Sequence, residues 1–337
     1  MTYEMRAATE TSLTPAGMAV PTPEMQAVLD QLAALGARPL HTLTVAEARA
    51  QATPADAVAA VMAARRVDPG PAAAIRTRDI VIPGPAGDIK ARVYTPDGPG
   101  PFPVVVYYHG GGWVIADLDT YDGSARALAL GANAVVLSAH YRQGPEDIFP
   151  AAHVDAYAAY FWALDHMQDL NGDPGQIAVA GESAGANLAT NVALMARDMR
   201  IRQPLHQLLV YPVAGDDMDT PSYLENAGAA PLGKPDMAWF VENVFVPVEE
   251  SADPRINLSD RVDLQNLPAV TLILAQIDPL RSEGIDYGAA LKAAGVQVEM
   301  RIYDGVTHEF FGMGAVVPEA VQAMAFATAR LRQAFHT

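Results

Sequence analysis

Four stretches of this 337-residue chain carry residue types suited to acyl transfer. Ser183 sits in Gly181-Glu182-Ser183-Ala184-Gly185, between the apolar run Gln176 to Ala180 and the helix-forming stretch Asn187 to Arg197. A G-x-S-x-G turn between a strand and a helix is the pattern of a nucleophile elbow. The sharp turn projects the hydroxyl above a sheet, and its flanking residues must be small because neighbouring backbone passes close by. Alone, the five-residue pattern also fits an ordinary glycine turn. A serine nucleophile further needs a base, a group that orients the base, and donors for the oxyanion. His308 follows the apolar run Val296 to Tyr303 after a short loop, Asp304 to Thr307. Asp278 follows another such run, Val270 to Ala275, although an aspartate beside proline also suits a turn or helix cap. The seven other histidines lie near the termini (His41, His336), in or beside presumed helices and strands (His140, His153, His166, His206), or at the head of a glycine loop (His109). That loop, His109-Gly110-Gly111-Gly112-Trp113, follows the run Pro103 to Tyr108. Consecutive glycines let several N–H groups turn towards one point and leave room for a substrate.

These groups need elements to hold them. Eight runs read as strands. Arg76 to Ile82 and Ile89 to Tyr94 form a hairpin around a Pro/Gly turn. Pro103 to Tyr108, Ala134 to Ser138, Ile177 to Ala180, Leu208 to Tyr211, Val270 to Ala275 and Val296 to Tyr303 follow. Helical stretches alternate with them over Tyr121 to Leu130, Ala151 to Met167, Asn187 to Met199 and Glu283 to Ala294, and Pro318 to Phe335 closes the chain. The alternation predicts an α/β fold: a mostly parallel eight-stranded sheet with helices on both faces. Upstream, residues 1–21 read as a flexible lead-in. Pro23 to Leu35 reads as a helix stopped by Gly36 and Pro39, Thr44 to Glu47 as a capping box opening a second helix, and Asp68 to Ala74 as a linker. Between Pro212 and Pro268 the rhythm breaks. That stretch has one helical piece near Pro235 to Val244 and the size to fold back as a lid above the strand ends.

Composition narrows the function. Half of the residues are hydrophobic and 18% are charged, which suits a large core and argues against disorder. A net charge of -17 disfavours nucleic acid and anionic membranes as partners. With no cysteine there is no disulfide, thiol nucleophile or Cys-based metal site. The same fact fits the cytoplasm, the expected location. Met1 to Glu10 carries two glutamates and no apolar core, unlike a signal peptide, and no apolar run approaches a membrane span. Asp169-Leu170-Asn171-Gly172-Asp173 resembles a calcium loop superficially, but its glycine is misplaced and the closing glutamate is missing. A turn is expected there, and no metal.

The order Ser183, Asp278, His308 along the chain is that of the α/β-hydrolases, in which the N–H after the nucleophile, here Ala184, also serves the oxyanion. From about Arg76 to the C-terminus the chain resembles the bacterial hormone-sensitive-lipase-like (HGGG, family IV) esterases. The resemblance rests on His109 to Trp113, Tyr141-Arg142 with Pro145-Glu146, Phe149 to Ala152 leading to Asp155-Ala156-Tyr157, and Gly181 to Gly185. Asp278-Pro279-Leu280-Arg281 and His308-Glu309-Phe310 complete it. It implies an α/β-hydrolase fold with a helical cap, hydrolysis of short- to medium-chain acyl esters of small molecules, no cofactor, and a homodimer as a common assembly. By matching positions it implies Gly111, Gly112 and Ala184 as oxyanion donors. The cap would comprise residues 1–50 and the insertion 212–248, and the catalytic core residues 51–211 and 249–337. Gly110, Trp113 and Trp239 are candidate substrate-binding positions, Met218, Met237 and Phe240 are also placed to line an acyl pocket, and packing within the cap is an equal alternative for Met237, Trp239 and Phe240. Glu182 stands where the family more often has Asp, Gln143-Gly144 replaces Leu-Ala, Asp147-Ile148 replaces His-Pro, and Ser282 replaces an acid. Glu182 is expected to hydrogen-bond nearby loops and hold the elbow. Two alternatives use the same fold. A ligand receptor would most simply lack the base, which is present here, whereas an amidase, lactonase or carbamate hydrolase would share the triad. No extended apolar lid helix points to a long-chain lipase.

Overall fold

The computed structural model describes residues 17–336. The expectations of a flexible lead-in and of no signal peptide fall largely on residues 1–16, outside the described residues. Eight strands form one sheet: β1 (Arg76–Gly84), β2 (Gly87–Thr95), β3 (Phe102–Tyr108), β4 (Val135–Ala139), β5 (Gly172–Glu182), β6 (His206–Val210), β7 (Ala269–Ile277) and β8 (Val298–Thr307). Their order is β1-β2-β4-β3-β5-β6-β7-β8. β1 and β2 form an antiparallel hairpin, β2 runs antiparallel to β4, and every later pairing is parallel. Val104 to Tyr108 and Ile177 to Glu182 are buried throughout, as central strands covered on both faces require.

Helices cover both faces. α5 (Ala151–Asp165), α6 (Ala184–Asp198) and α9 (Arg281–Ala293) bury Ala, Leu and Val against one, and α4 (Asp122–Ala132) and α10 (Pro318–Phe335) pack together on the other. α1 (Pro23–Ala34) is capped by Thr22, and α2 (Val45–Ala50) opens with the expected Thr44–Glu47 capping box. A third upstream helix, α3 (Pro54–Arg65), packs against α1 and extends this helical layer past residue 50. Its sequence is alanine-rich and buries only Ala57 and Val61, so its apolar stripe is faint. Its capping box, Thr53 with Asp56, is the signal that marks it.

The insertion contributes α7 (Pro221–Glu225) and α8 (Lys234–Val244). Asp236 at the start of α8 accepts from the backbone N–H of His41 at 3.1 Å and meets its ring Nδ1 at 2.8 Å, which joins the insertion to the segment between α1 and α2. Asp169 to Asn171 is a turn leading into β5, which begins with Gly172 and Asp173, and the described residues contain no cluster that would hold a metal ion. No described helix is long and apolar enough to cross a membrane.

Candidate active site

The elbow forms between β5 and α6. Ser183 has φ 56° and ψ -121°, a left-handed conformation that is strained for a residue with a side chain. The turn closes only because its flanks are glycine. A Cβ on Gly181 would lie 2.2 Å from the Gly185 carbonyl oxygen, and one on Gly185 would lie 2.0 Å from that of Tyr108. Ser183 N–H donates to Val210 at 2.9 Å, which ties the turn to the end of β6. α6 begins directly at Ala184, three residues before the sequence-expected start. Ala184 therefore occupies the first helical position, where the N–H has no intrahelical acceptor and carries the positive end of the helix dipole.

Strand register brings the acid and base together. Ile277 of β7 is opposite Thr307 of β8, so Asp278 and His308 are the next residues of two neighbouring strands. His308 Nδ1 and Asp278 Oδ2 are 2.7 Å apart, and both residues are buried. The expected loop Asp304 to Thr307 is instead the end of β8. The pairing resumes beyond a bulge at Ala275/Ile277, and Gly305, at φ 65°, takes up the bend. The second Asp278 oxygen accepts from Leu280 N–H at 2.9 Å, which fixes the carboxylate plane. Burial alone disfavours the imidazolium of His308, but the charge and hydrogen bond of Asp278, with Glu309 and Glu182 behind them, hold its pKa above the ordinary value. Ser183 and His308 open into the same cavity, of about 1050 Å³, without a hydrogen bond between them. Such contacts commonly tighten only when substrate is bound.

The glycine loop follows β3. Tyr141 Oη donates to the carbonyls of His109 at 2.8 Å and Gly110 at 2.9 Å. A trans peptide points its N–H opposite its carbonyl, so anchoring the Gly110 carbonyl turns Gly111 N–H away from Tyr141. The Gly111 carbonyl accepts from Val114 and Ile115, both at 3.0 Å, which does the same for Gly112 N–H. Gly111, Gly112 and Trp113 all have positive φ, at 91°, 56° and 58°. Gly111 and Gly112 line the cavity, and neither N–H has an acceptor among the described residues. His109 is structural: buried, with its pKa pushed down to about 3 mainly by desolvation, it pairs with His140 at 2.9 Å.

Trp113, Met218, Met237 and Phe240 line the cavity; Gly110 and Trp239 do not. The missing Cβ of Gly110 makes room for Tyr121, whose hydroxyl would otherwise be 2.2 Å away. Trp239 turns from the cavity because its indole N–H donates to the Leu43 carbonyl at 3.0 Å, and the ring packs edge-on to Phe240. Glu182 bonds to one strand residue and to one residue of the loop after β6. Its carboxylate accepts from Tyr107 of β3 at 2.5 Å and from Tyr211, just after β6. Burial pushes its pKa up to about 7 despite those two donors. Sequence reasoning assigned no role to Tyr121, Tyr141, Tyr211 or Glu309. Tyr211 packs its ring on His308, with centroids 4.4 Å apart, and Glu309 accepts from Tyr121 at 2.6 Å. The one available signal was Glu309 adjoining His308.

A family model described as "alpha/beta hydrolase fold" matches residues 105–312. Over 238 residues the chain is 40% identical to the carboxylesterase NlhH of Mycobacterium tuberculosis, an alignment that covers 69% of this chain and 74% of that protein. Among solved structures, a thermostable esterase from Pseudomonas putida superposes with a TM-score of 0.85 at 30% identity, covering 95% of this chain and 99% of the other. A hyperthermophilic esterase from the archaeon Pyrobaculum calidifontis gives 0.82 at 35%, covering 94% and 99%.

Proposed function

The chain belongs to the hormone-sensitive-lipase-like branch of the α/β-hydrolases and is a carboxylic ester hydrolase; from that premise we propose that it is a serine esterase for short- to medium-chain acyl esters, acting through an acyl-enzyme on Ser183. The observation that carries this reading is the 2.7 Å pair of Asp278 and His308, with Nε2 left to face the cavity that Ser183 enters. His308 takes the Ser183 proton as Oγ bonds to the ester carbonyl carbon. The carbonyl oxygen, now negative, is received by the N–H groups of Gly111, Gly112 and Ala184. His308 returns the proton to the departing alcohol, then activates water to release the acid. Asp278 keeps the proton of the neutral imidazole on Nδ1 and stabilises the imidazolium. The apolar lining from Phe240, Met237 and Met218 suits the acyl chain. The cysteine-free chain suits the cytoplasm.

Ser183→Ala removes the nucleophile but keeps the Cβ, so the strained turn is left as it is. Turnover of p-nitrophenyl butyrate should fall by about 10⁴-fold or more with the circular dichroism spectrum unchanged. Activity near the wild-type level in a folded Ser183→Ala protein would reject the assignment.

A further inference from the structure

Glu309 stands at the reacting side of the base and has no part in the steps above. Its backbone is left-handed, φ 74° and ψ 1°, a conformation that glycine adopts freely and glutamate does not. Glu309 lines the cavity with Ser183 and His308. Oε1 accepts the Tyr121 hydroxyl at 2.6 Å and lies 4.0 Å from His308 Nε2, the nitrogen that faces the substrate. Besides Asp278, which holds Nδ1, it is the one carboxylate within 4.0 Å of the imidazole among the described residues. Glu182 is buried nearby, but Tyr107 and Tyr211 enclose it and it does not line the cavity. Tyr121 reaches Glu309 past Gly110, which would obstruct the hydroxyl if it carried a Cβ.

We propose that Glu309 is a positioning residue for the hydrolytic half of the reaction, its Tyr121-anchored carboxylate accepting one O–H of the water whose other O–H points at His308 Nε2. This rests on the acyl-enzyme mechanism proposed above. A water held by Nε2 alone turns about that bond, and a second acceptor stops the rotation. Two acceptors that share one water lie roughly 4.4 Å apart when both hydrogen bonds are near 2.8 Å. The observed 4.0 Å is close to that span and too long for a direct hydrogen bond. In this step the water oxygen bonds to the acyl carbon and one proton passes to Nε2. The bond from the acyl carbon to Oγ then breaks as Nε2 returns that proton to Ser183. Glu309 accepts a hydrogen bond and takes no proton in the step. Acylation makes no such demand, because its nucleophile is already fixed by the elbow.

The asymmetry is the test. Glu309→Gly removes the carboxylate and relieves the left-handed backbone, and Glu309→Gln keeps one acceptor oxygen. Acylation is read as single-turnover release of p-nitrophenol, and deacylation as decay of the acyl-enzyme by intact mass. In Glu309→Gly, deacylation should slow about tenfold, the scale of one oriented hydrogen bond, while acylation changes less than about threefold. Glu309→Gln should recover part of the loss. With methanol added, the ratio of methyl ester to acid should rise about tenfold in Glu309→Gly, because methanol has a single O–H and needs no second acceptor. An unchanged ratio, or equal slowing of both half-reactions, overturns the assignment. Failure of the wild-type protein to form any acyl-enzyme at Ser183 instead refutes the mechanism beneath it.

Discussion

The two walls of the cavity are built differently. On the sheet side, each group is the residue that follows a paired strand or the loop leaving one: His109 to Trp113 after β3, Ser183 after β5, Asp278 after β7 and His308 after β8. Close approaches there are backbone to backbone, as at Gly181 and Gly185. On the cap side, side chains make most of the joints: His41 with Asp236, Trp239 with the Leu43 carbonyl, and Arg49 reaching the carbonyls of Val114 at 2.9 Å and Gly144 at 2.8 Å, beside two backbone bonds at its edges, Thr22 N–H to the Gly305 carbonyl at 2.8 Å and Phe149 N–H to the Val244 carbonyl at 2.9 Å. A ladder cannot shift by a fraction of an ångström without breaking several bonds, whereas a side-chain joint opens by rotation. Chemistry that needs fixed distances sits on the first wall, and access sits on the second.

Two glycines test that division most severely. A Cβ on Gly185 meets backbone, the Tyr108 and His109 carbonyl oxygens at 2.0 and 2.4 Å. A Cβ on Gly112 meets the Phe240 ring of the cap at 2.2 Å. Gly185→Ala should cost more than about 3 kcal/mol, read as a large fall in Tm or loss of soluble protein, and no single cap substitution should restore it. Gly112→Ala also strains its own left-handed backbone, yet Phe240→Ala should recover much of its loss in Tm. Equal rescue of both variants by Phe240→Ala would erase the distinction between the walls.

The sheet side also carries buried acid, which gives stability a pH dependence. Glu182 has its folded pKa raised from 4.5 to about 7 by burial. Below about pH 4.5 it is protonated both folded and unfolded and costs nothing. As pH rises towards 7 the unfolded chain releases the proton first, so folding loses stability across that window, by up to about 3 kcal/mol once both states are ionised. Glu182→Gln removes this dependence. Glu283 and Glu309 are shifted in the same direction and remain in the variant, so the difference isolates Glu182. Urea midpoints at pH 5 and pH 8 should show the variant gaining on the wild type with pH, and parallel profiles would refute the assignment.

What the sequence revealed follows the same division. The elbow, the acid, the base and the glycine loop were legible because each needs particular residue types beside an apolar strand run. Their pairing partners were not: Tyr141, Tyr211 and Tyr121 act across 29 to 188 residues of chain, a separation that only the folded sheet closes. β8 was cut short because Asp304 and Gly305 look like a turn, while its ladder with β7 continues to Thr307. α3 was missed because alanine gives almost no amphipathic contrast. For Trp239 the sequence leaves pocket lining and packing within the cap open, because a large aromatic in a lid suits either. Its direction is set by a carbonyl at Leu43, about which local sequence says nothing.

Trp239 therefore yields the gentlest test of the cap side. Trp239→Phe keeps a ring but deletes the donor to Leu43, one of the bonds that join α8 to the segment between α1 and α2, beside those of Asp236 with His41. The loss should be about 1 kcal/mol, too small to unfold the core. If the cap opens as a unit, KM should rise by a similar factor for acetyl, butyryl and hexanoyl esters, with acylation of bound substrate nearly unchanged, because Ser183, Asp278 and His308 belong to the other wall. If the indole instead contacts the acyl chain, the change should grow with chain length. A KM effect confined to the longer esters would return Trp239 to the pocket and weaken the separation of rigid chemistry from adjustable access.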